Sequence, residues 1–271
     1  MDRRRFIAAA GAFSISGVTE ATEEADKMEI ISSVPPLPKD LAASAALPPA
    51  PYVELVLAGT APPSDEEKLT AHQLLIEAPY KCKPIEVAQY FLGIAEGKQG
   101  SAARQYAREW PIRANPVIFH FFSATQQKPE GDQTAWCAAF VNWCILRSHA
   151  ESEDEIGTSH GNYSKSGKPF STKNMADHST NDAASGSFRC WQTTVTPKEG
   201  EIAVFKNPGT DDLTKVCKGS GHVAFFISAP SPNAIIVLGG NQTSAGSGGA
   251  VTLAKWFIGP NSRFMKYVSL K

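Results

Sequence analysis

The sequence lacks an excess of charge of either sign, and it lacks a long apolar run. Its 26 Lys and Arg residues nearly balance 27 Asp and Glu residues, so the formal net charge is -1. Binding to nucleic acid or to an anionic membrane surface needs a basic field, which this balance disfavours. The apolar run from Ile7 to Val18 is too short for a stable membrane span. A hydrophobic fraction of 42% is still ample for a conventional core.

Cysteine is scarce as well, and the chain has no CxxC pair of the kind that is typical of zinc sites. The zinc alternative would have to use Cys137, Cys144, Cys217 and His222. We disfavour it and expect no metal and no cofactor. The five cysteines make an odd count, which leaves at least one free thiol in an oxidising compartment, and we expect that thiol to be Cys137. Cys190 and Cys217 could form a disulfide, although the sequence does not fix the connectivity.

The N-terminal segment, residues 1–18, has the layout of an export signal. Arg3, Arg4 and Arg5 precede Phe6 and a short apolar run. Paired arginines in this setting resemble the twin-arginine signal, which an export receptor recognises and which delivers folded proteins to the periplasm or cell envelope. No small-x-small cleavage site follows the run, so a disordered basic tail is the alternative.

Residues 19–63 form the second predicted segment and turn from acidic to rich in Ala and Pro. Such a composition is typical of an extended tether, and regular structure is not expected in it. A short run from Tyr52 to Leu57 has strand character. The third segment, residues 64–271, is predicted to be the folded domain.

Within this domain the helical patterns come first and the strand patterns follow. Capped helix starts precede residues 64–77, 85–94 and 117–124. Alternating or apolar runs predict strands at residues 201–205, 222–227, 234–238, 251–256 and 264–268. This order predicts an α+β fold with an antiparallel sheet. The polar stretch at 149–190 is either a functional rim or disordered.

The central helical pattern, residues 134–150, carries the candidate nucleophile. With Thr134 as the N-cap, Cys137 would lie near the third helical position, where free N–H groups and the helix dipole favour a thiolate. Trp136, Phe140 and Trp143 recur at helical spacing, so we expect one apolar face and a helix start that is open to solvent. The alternative for a cysteine in such a helix is that it is an inert core residue, and Cys144 fits this alternative.

A catalytic thiol needs a base, and the base needs a third group that orients it. His222 opens an apolar strand directly after the turn at residues 219–221, where a rigid scaffold can aim its ring. One strand later, Asn241 follows Gly239 and Gly240 in a turn, and its side chain is suited to accept from the imidazole. The order along the chain is then Cys, His, Asn.

The segments AWCAAFVNWC, GEIAVF, GHVAFFIS and VLGGNQ occur in this order within residues 80–256. Together they resemble the CHAP-related and NlpC-type branch of papain-like cell-wall cysteine hydrolases. The resemblance implies a papain-like fold, with Cys137 as nucleophile, His222 as base and Asn241 as orienting group. Many relatives have an acidic residue two places before the asparagine, whereas this chain has Gly239.

The resemblance also implies an activity, the hydrolysis of peptide or amide bonds in the stem peptides of peptidoglycan. Cys137 would attack the carbonyl, and backbone N–H groups at the helix start would bind the oxyanion, with Gln133 as a further candidate donor. The alternatives are a catalytically silent envelope module that binds muropeptides and an antibacterial effector with the same chemistry.

Overall fold

The computed structural model describes residues 28–45, 59–207, 216–242 and 248–270. The predicted export signal and the predicted strand at 52–57 lie outside these residues. The α-helices are α1 Lys39–Ala45, α2 Asp65–Glu77, α3 Pro84–Glu96, α4 Pro116–Phe121, α5 Cys137–Ser148 and α6 Thr172–His178. The strands are β1 Met28–Ile30, β2 Thr193–Thr194, β3 Ile202–Lys206, β4 Gly221–Ser231, β5 Ala234–Gln242, β6 Ala250–Phe257 and β7 Phe264–Val268.

The strands form one sheet in the order β1-β6-β5-β4-β3-β7-β2, and every neighbouring pair is antiparallel. The described α-helices all lie between β1 and β2 along the chain, so they precede every strand except β1. The predicted α+β class is therefore confirmed, and each of the five strands predicted between residues 201 and 268 is present, although β4 and β5 each end four residues later than predicted. No helix in the described ranges is long and apolar enough to cross a membrane.

The predicted caps explain where two helices begin. Ser64 accepts from the Glu67 N–H, and Glu67 accepts in return from the Ser64 N–H, which forms a complete capping box at the start of α2. The Asn115 side chain accepts from the Val117 N–H at the start of α4. Local sequence therefore sets both helix starts.

Helix α5 differs from its prediction in two respects. It begins at Cys137, with Trp136 as a cap residue that makes no side-chain cap bond, so Thr134 is not the N-cap. Every residue of α5 is buried, including Asn142 and Arg147, instead of one apolar face. Arg147 is accommodated because its guanidinium donates to five backbone carbonyls that the surrounding segments turn towards it.

The two faces of the sheet contribute to two hydrophobic clusters. Residues of β4 alternate between them, because successive side chains of a strand point to opposite faces. Val223 and Phe225 join the first cluster, which contains α3 and α5, and Ala224 and Phe226 join the second cluster, which contains Trp256. The start of β4 thus lies where both clusters end.

The expectation that residues 19–63 contain no regular structure is wrong at two places. Strand β1 pairs with β6, and helix α1 follows a few residues later. Side chains of the domain hold this segment, since Arg108 donates to the Pro35 carbonyl at 2.9 Å and Arg113 forms an ion pair with Asp40 at 2.6 Å. The short β1 was missed because its stability comes from the partner strand rather than from its own composition.

The polar stretch at 149–190 is ordered, so the alternative of disorder is wrong there. It contains α6 and a 3-10 turn at Ser185–Cys190. A disulfide joins Cys190 to Cys217, as one of the sequence alternatives proposed. The remaining cysteines are free thiols, namely Cys82, Cys137 and Cys144. Cys137 is thus free, as expected.

Candidate active site

Cys137 lies at the first residue of α5 and is only 3% exposed. The expectation of a solvent-open helix start is therefore wrong, because β4 and β5 pack against this end of the helix. The backbone N–H groups of Val223, Ala138 and Cys137 itself interact with the thiol. The first of these belongs to β4, so the thiol touches the strand that carries His222.

Burial reverses the expected acidity of Cys137. Loss of solvation disfavours the thiolate and raises the pKa of Cys137 above its ordinary value, and this effect exceeds the opposing one of the three N–H groups and of the positive charge of Arg263. The prediction of a thiolate stabilised by the helix start alone is thus wrong for this state of the site. A buried thiol of this kind needs a base that removes its proton during the reaction.

His222 is the second residue of β4, lies opposite Phe205 of β3 and is 6% exposed. Its ring stacks on the Trp256 ring, with 5.4 Å between centroids and 15° between planes. Burial, together with the smaller effect of the Arg263 charge, lowers the pKa of His222 to about 3, while a contact with the Gln242 side chain acts in the opposite direction. The imidazole is therefore neutral at neutral pH, which is the form that can accept a proton.

Cys137 contacts the backbone of Val223, the residue that follows His222, and Arg263 acts on the pKa of both Cys137 and His222. No hydrogen bond joins them, and the Nε2 atom of His222 is buried without a hydrogen-bond partner. Cys137 packs in the first cluster, whereas the His222 ring packs against Trp256 of the second. The thiol therefore contacts the backbone of β4, whereas the imidazole faces the second cluster, and both groups are neutral.

The described hydrogen bonds of the Asn241 side chain go to partners other than His222. With the amide oriented as its surroundings require, Nδ2 donates to Glu109 Oε1 at 3.1 Å and Oδ1 accepts from the Trp136 N–H at 3.2 Å. The backbone of Asn241 has a φ of 57°, a left-handed conformation that asparagine tolerates better than most residues. Asn241 thus links the end of β5 to the residue that precedes Cys137.

Glu109 completes this connection and was not predicted. Its Oε1 accepts from Trp136 Nε1 at 2.9 Å and its Oε2 from the Gly249 N–H at 2.8 Å. Burial raises the pKa of Glu109, and these hydrogen bonds together with Arg108 oppose that effect. Nothing in the sequence around Glu109 signals this position, because its partners come from distant segments of the chain.

Gln242 is the second residue that sequence reasoning missed, although it directly follows Asn241 in the motif that was singled out. Its Nε2 donates to the Thr252 carbonyl at 2.7 Å, and its Oε1 accepts from Trp256 Nε1 at 3.3 Å. The side chain is 2% exposed and contacts His222. Gln242 is therefore a buried polar side chain that contacts the imidazole.

Gln133, a predicted oxyanion donor, and Arg263, a neighbour of the site, also have defined contacts. The Gln133 amide donates to the Trp110 carbonyl at 3.5 Å, so its described contact is not with the thiol. Arg263 stacks over the Trp256 ring at 5.2 Å and donates from Nε to the Lys206 carbonyl. Within the described residues, no group of three or more His, Cys, Asp or Glu side chains could hold a metal ion.

A cysteine at a helix start, a neutral histidine at an adjacent strand and a buried amide beside that histidine define a candidate cysteine-hydrolase site. The family model of the CHAP domain matches residues 129–241, a range that includes Cys137, His222 and Asn241. The predicted resemblance to the CHAP-related family is confirmed over this range. No curated protein and no solved structure matches the chain.

Proposed function

We propose that the protein is a cysteine hydrolase with a papain-like catalytic domain. The observation that supports the proposal is the contact of the Cys137 thiol with the Val223 N–H, which places the thiol at the start of α5 against the strand that carries His222. This arrangement lies within the CHAP domain match, and the match favours action on peptidoglycan.

The neutral state of both groups favours a general-base mechanism. His222 accepts the thiol proton while Cys137 Sγ forms a bond to the substrate carbonyl carbon, and the carbonyl oxygen becomes an oxyanion. The N–H groups of Cys137 and Ala138 at the helix start are the donors for that oxyanion. The protonated imidazole then gives its proton to the leaving amine, and a thioester remains. Water, deprotonated by His222, hydrolyses the thioester and restores the thiol.

The substrate class that fits this chemistry is the stem peptide of peptidoglycan, cleaved as an amide or as a peptide bond. Delivery to the periplasm or cell envelope by the N-terminal arginines remains part of the proposal. The disulfide between Cys190 and Cys217 supports it, because disulfides persist in oxidising compartments.

A second candidate function is a catalytically silent module that binds muropeptides. The observation that favours it is the burial of both groups, with a raised pKa for Cys137 and a lowered pKa for His222. In this case the site would bind the peptide but leave its bonds intact.

The test uses two matched variants in the same helix, Cys137→Ala and Cys144→Ala, with purified muropeptides analysed by mass spectrometry. Both cysteines are buried, so both variants lose similar packing, about 1–2 kcal/mol of unfolding free energy. We expect Cys137→Ala to abolish hydrolysis and Cys144→Ala to retain it. Unchanged muropeptide masses with the unmodified protein would favour the binding module, and equal loss in both variants would contradict a catalytic Cys137.

A further inference from the structure

We propose that Gln242, and not Asn241, is the positioning residue that orients His222. This inference rests on the proposed function, since it assigns the third group of the same site. It is carried by the buried contact among Gln242, His222 and Trp256 at the start of β4 and the end of β5.

The orientation of the Gln242 amide is fixed from its donor side. Nε2 donates to the Thr252 carbonyl at 2.7 Å and to the Gly239 carbonyl at 3.3 Å. Carbonyl oxygens only accept, so the group facing them must be the NH2 and not the oxygen. Oε1 therefore points the other way, where it accepts from Trp256 Nε1 at 3.3 Å. A carboxamide oxygen has a second acceptor site, which remains for an imidazole N–H.

The ring of His222 is held from the other side by Trp256. The two rings are nearly parallel, and the same indole that stacks on the imidazole also donates to Gln242 Oε1. The contact with the Gln242 side chain raises the pKa of His222 and so opposes the effect of burial. The ring stack and the indole hydrogen bond thus hold the imidazole and the Gln242 amide in one buried group.

Gly239 makes room for this side chain. A Cβ built at Gly239 would lie 3.2 Å from Gln242 Cδ and 2.8 Å from the Ala224 Cβ, so any larger residue there would crowd the amide. A neutral amide supports the imidazolium less strongly than a carboxylate would, which agrees with the neutral resting pair.

The test compares Gln242→Ala and Gln242→Glu with Asn241→Ala as the neighbouring-amide control. Hydrolysis is followed as kcat/KM against pH, and the tautomer and titration of the His222 ring are followed by NMR of 15N-labelled histidine. The His222 resonances are assigned by their loss in His222→Ala. Thermal unfolding of each variant is followed by circular dichroism.

We expect a single His222 tautomer in the unmodified protein and a mixture in Gln242→Ala, with a loss of activity of about 10-fold to 100-fold, part of what general acid–base catalysis contributes. Gln242→Glu should move the acid limb of the profile and the His222 titration to higher pH, because a carboxylate stabilises the imidazolium. Asn241→Ala should leave the tautomer and titration unchanged. A merely structural role of Gln242 would lower stability without these shifts.

The outcomes separate this inference from the proposed function. Should His222 keep one tautomer and its titration in both Gln242 variants, the inference is wrong even if muropeptides are cleaved. Should Asn241→Ala alone change the tautomer, the orienting group is Asn241 after all. If the His222 signals respond as expected but no muropeptide is cleaved, the positioning role stands and the proposed hydrolase activity fails.

Discussion

At the scale of single residues, burial controls the chemistry of the site more than the helix start does. The N–H groups at the first turn of α5 do interact with the Cys137 thiol, yet the net direction of its pKa is upward. Loss of solvation is the larger effect because almost none of the residue is exposed. For His222 the same loss of solvation lowers the pKa, so burial favours the neutral imidazole. The two residues are thus matched as a neutral acid and a neutral base.

This leads to a prediction for alkylation of Cys137 by iodoacetamide. Because only the thiolate reacts, the rate should rise with pH about a midpoint above the value of about 8.5 for an unperturbed cysteine. The midpoint of this pH dependence reports the acidity of the thiol, whereas the rate at a single pH also depends on how easily the reagent reaches it. The measurement is peptide mapping after timed labelling, with the denatured chain as reference. Rapid labelling of Cys137 below pH 7 would instead reveal a thiolate–imidazolium pair in the resting protein.

The sequence allowed Cys137 and His222 to be selected because each lies in a local pattern, a helix start and a strand start. Gln242 and Glu109 could not be selected in this way. Their roles depend on Trp256, Thr252 and Gly249, which only the folded chain brings near. Asn241 had the right chemistry and the right neighbourhood, but its left-handed backbone places its amide on the Trp136 side of the turn.

At the scale of elements, the turn that leads into β4 is held from outside the sheet. The disulfide fixes Cys217 to the end of the 3-10 turn at Ser185–Cys190. Arg189, fully buried, donates to the Lys218 and Ser220 carbonyls at 2.7 and 2.8 Å. These two connections define the approach of the chain to His222.

We therefore expect the double variant Cys190→Ser/Cys217→Ser to lose about 2–4 kcal/mol of unfolding free energy and part of its hydrolytic activity. Mild reduction of the unmodified protein should have the same effect on both quantities. Urea unfolding and the muropeptide digest measure them. As a control, the reductant should cause no further change in the double variant, and a further change there would show that its effect does not depend on this disulfide.

The elements that were predicted correctly are those whose signals are local. The capped starts of α2 and α4 and the apolar run of β4 each lie within a few consecutive residues. The full burial of α5 and the pairing of β1 were not predictable, because both depend on segments that are distant in the chain. Arg147 illustrates the difficulty, since a buried arginine is explained only by the carbonyls that surround it.

At the scale of the whole molecule, buried histidines couple folding to pH. His120 is fully buried between Ser164 Oγ and the Ile156 carbonyl, and burial lowers its pKa to about 4. The unfolded chain binds a proton at this residue below about pH 6.5, whereas the folded chain does so only near pH 4. Stability from this group is therefore complete above pH 6.5 and is lost progressively as the pH falls towards 4.

We expect His120→Gln to reduce the pH dependence of the unfolding free energy between pH 5 and 6 by about 1 kcal/mol per pH unit, since one titrating group is removed. Urea unfolding at several pH values measures this slope. Ser164→Ala is the matched control, because it removes the same hydrogen bond but no titrating group. It should lower stability by a similar amount at every pH, and an equal change of slope in both variants would contradict the assignment to His120.

The pairing of β1 with β6 has a consequence for the order in which the protein is made. β1, at residues 28–30, leaves the ribosome long before its partner residues 254–256. The sheet edge therefore cannot close until β6 has been made, and its closure joins segments that are far apart in the sequence. Until the C-terminal strands emerge, the nascent chain exposes an unpaired strand, which is the state in which chaperones and nonspecific partners compete with folding.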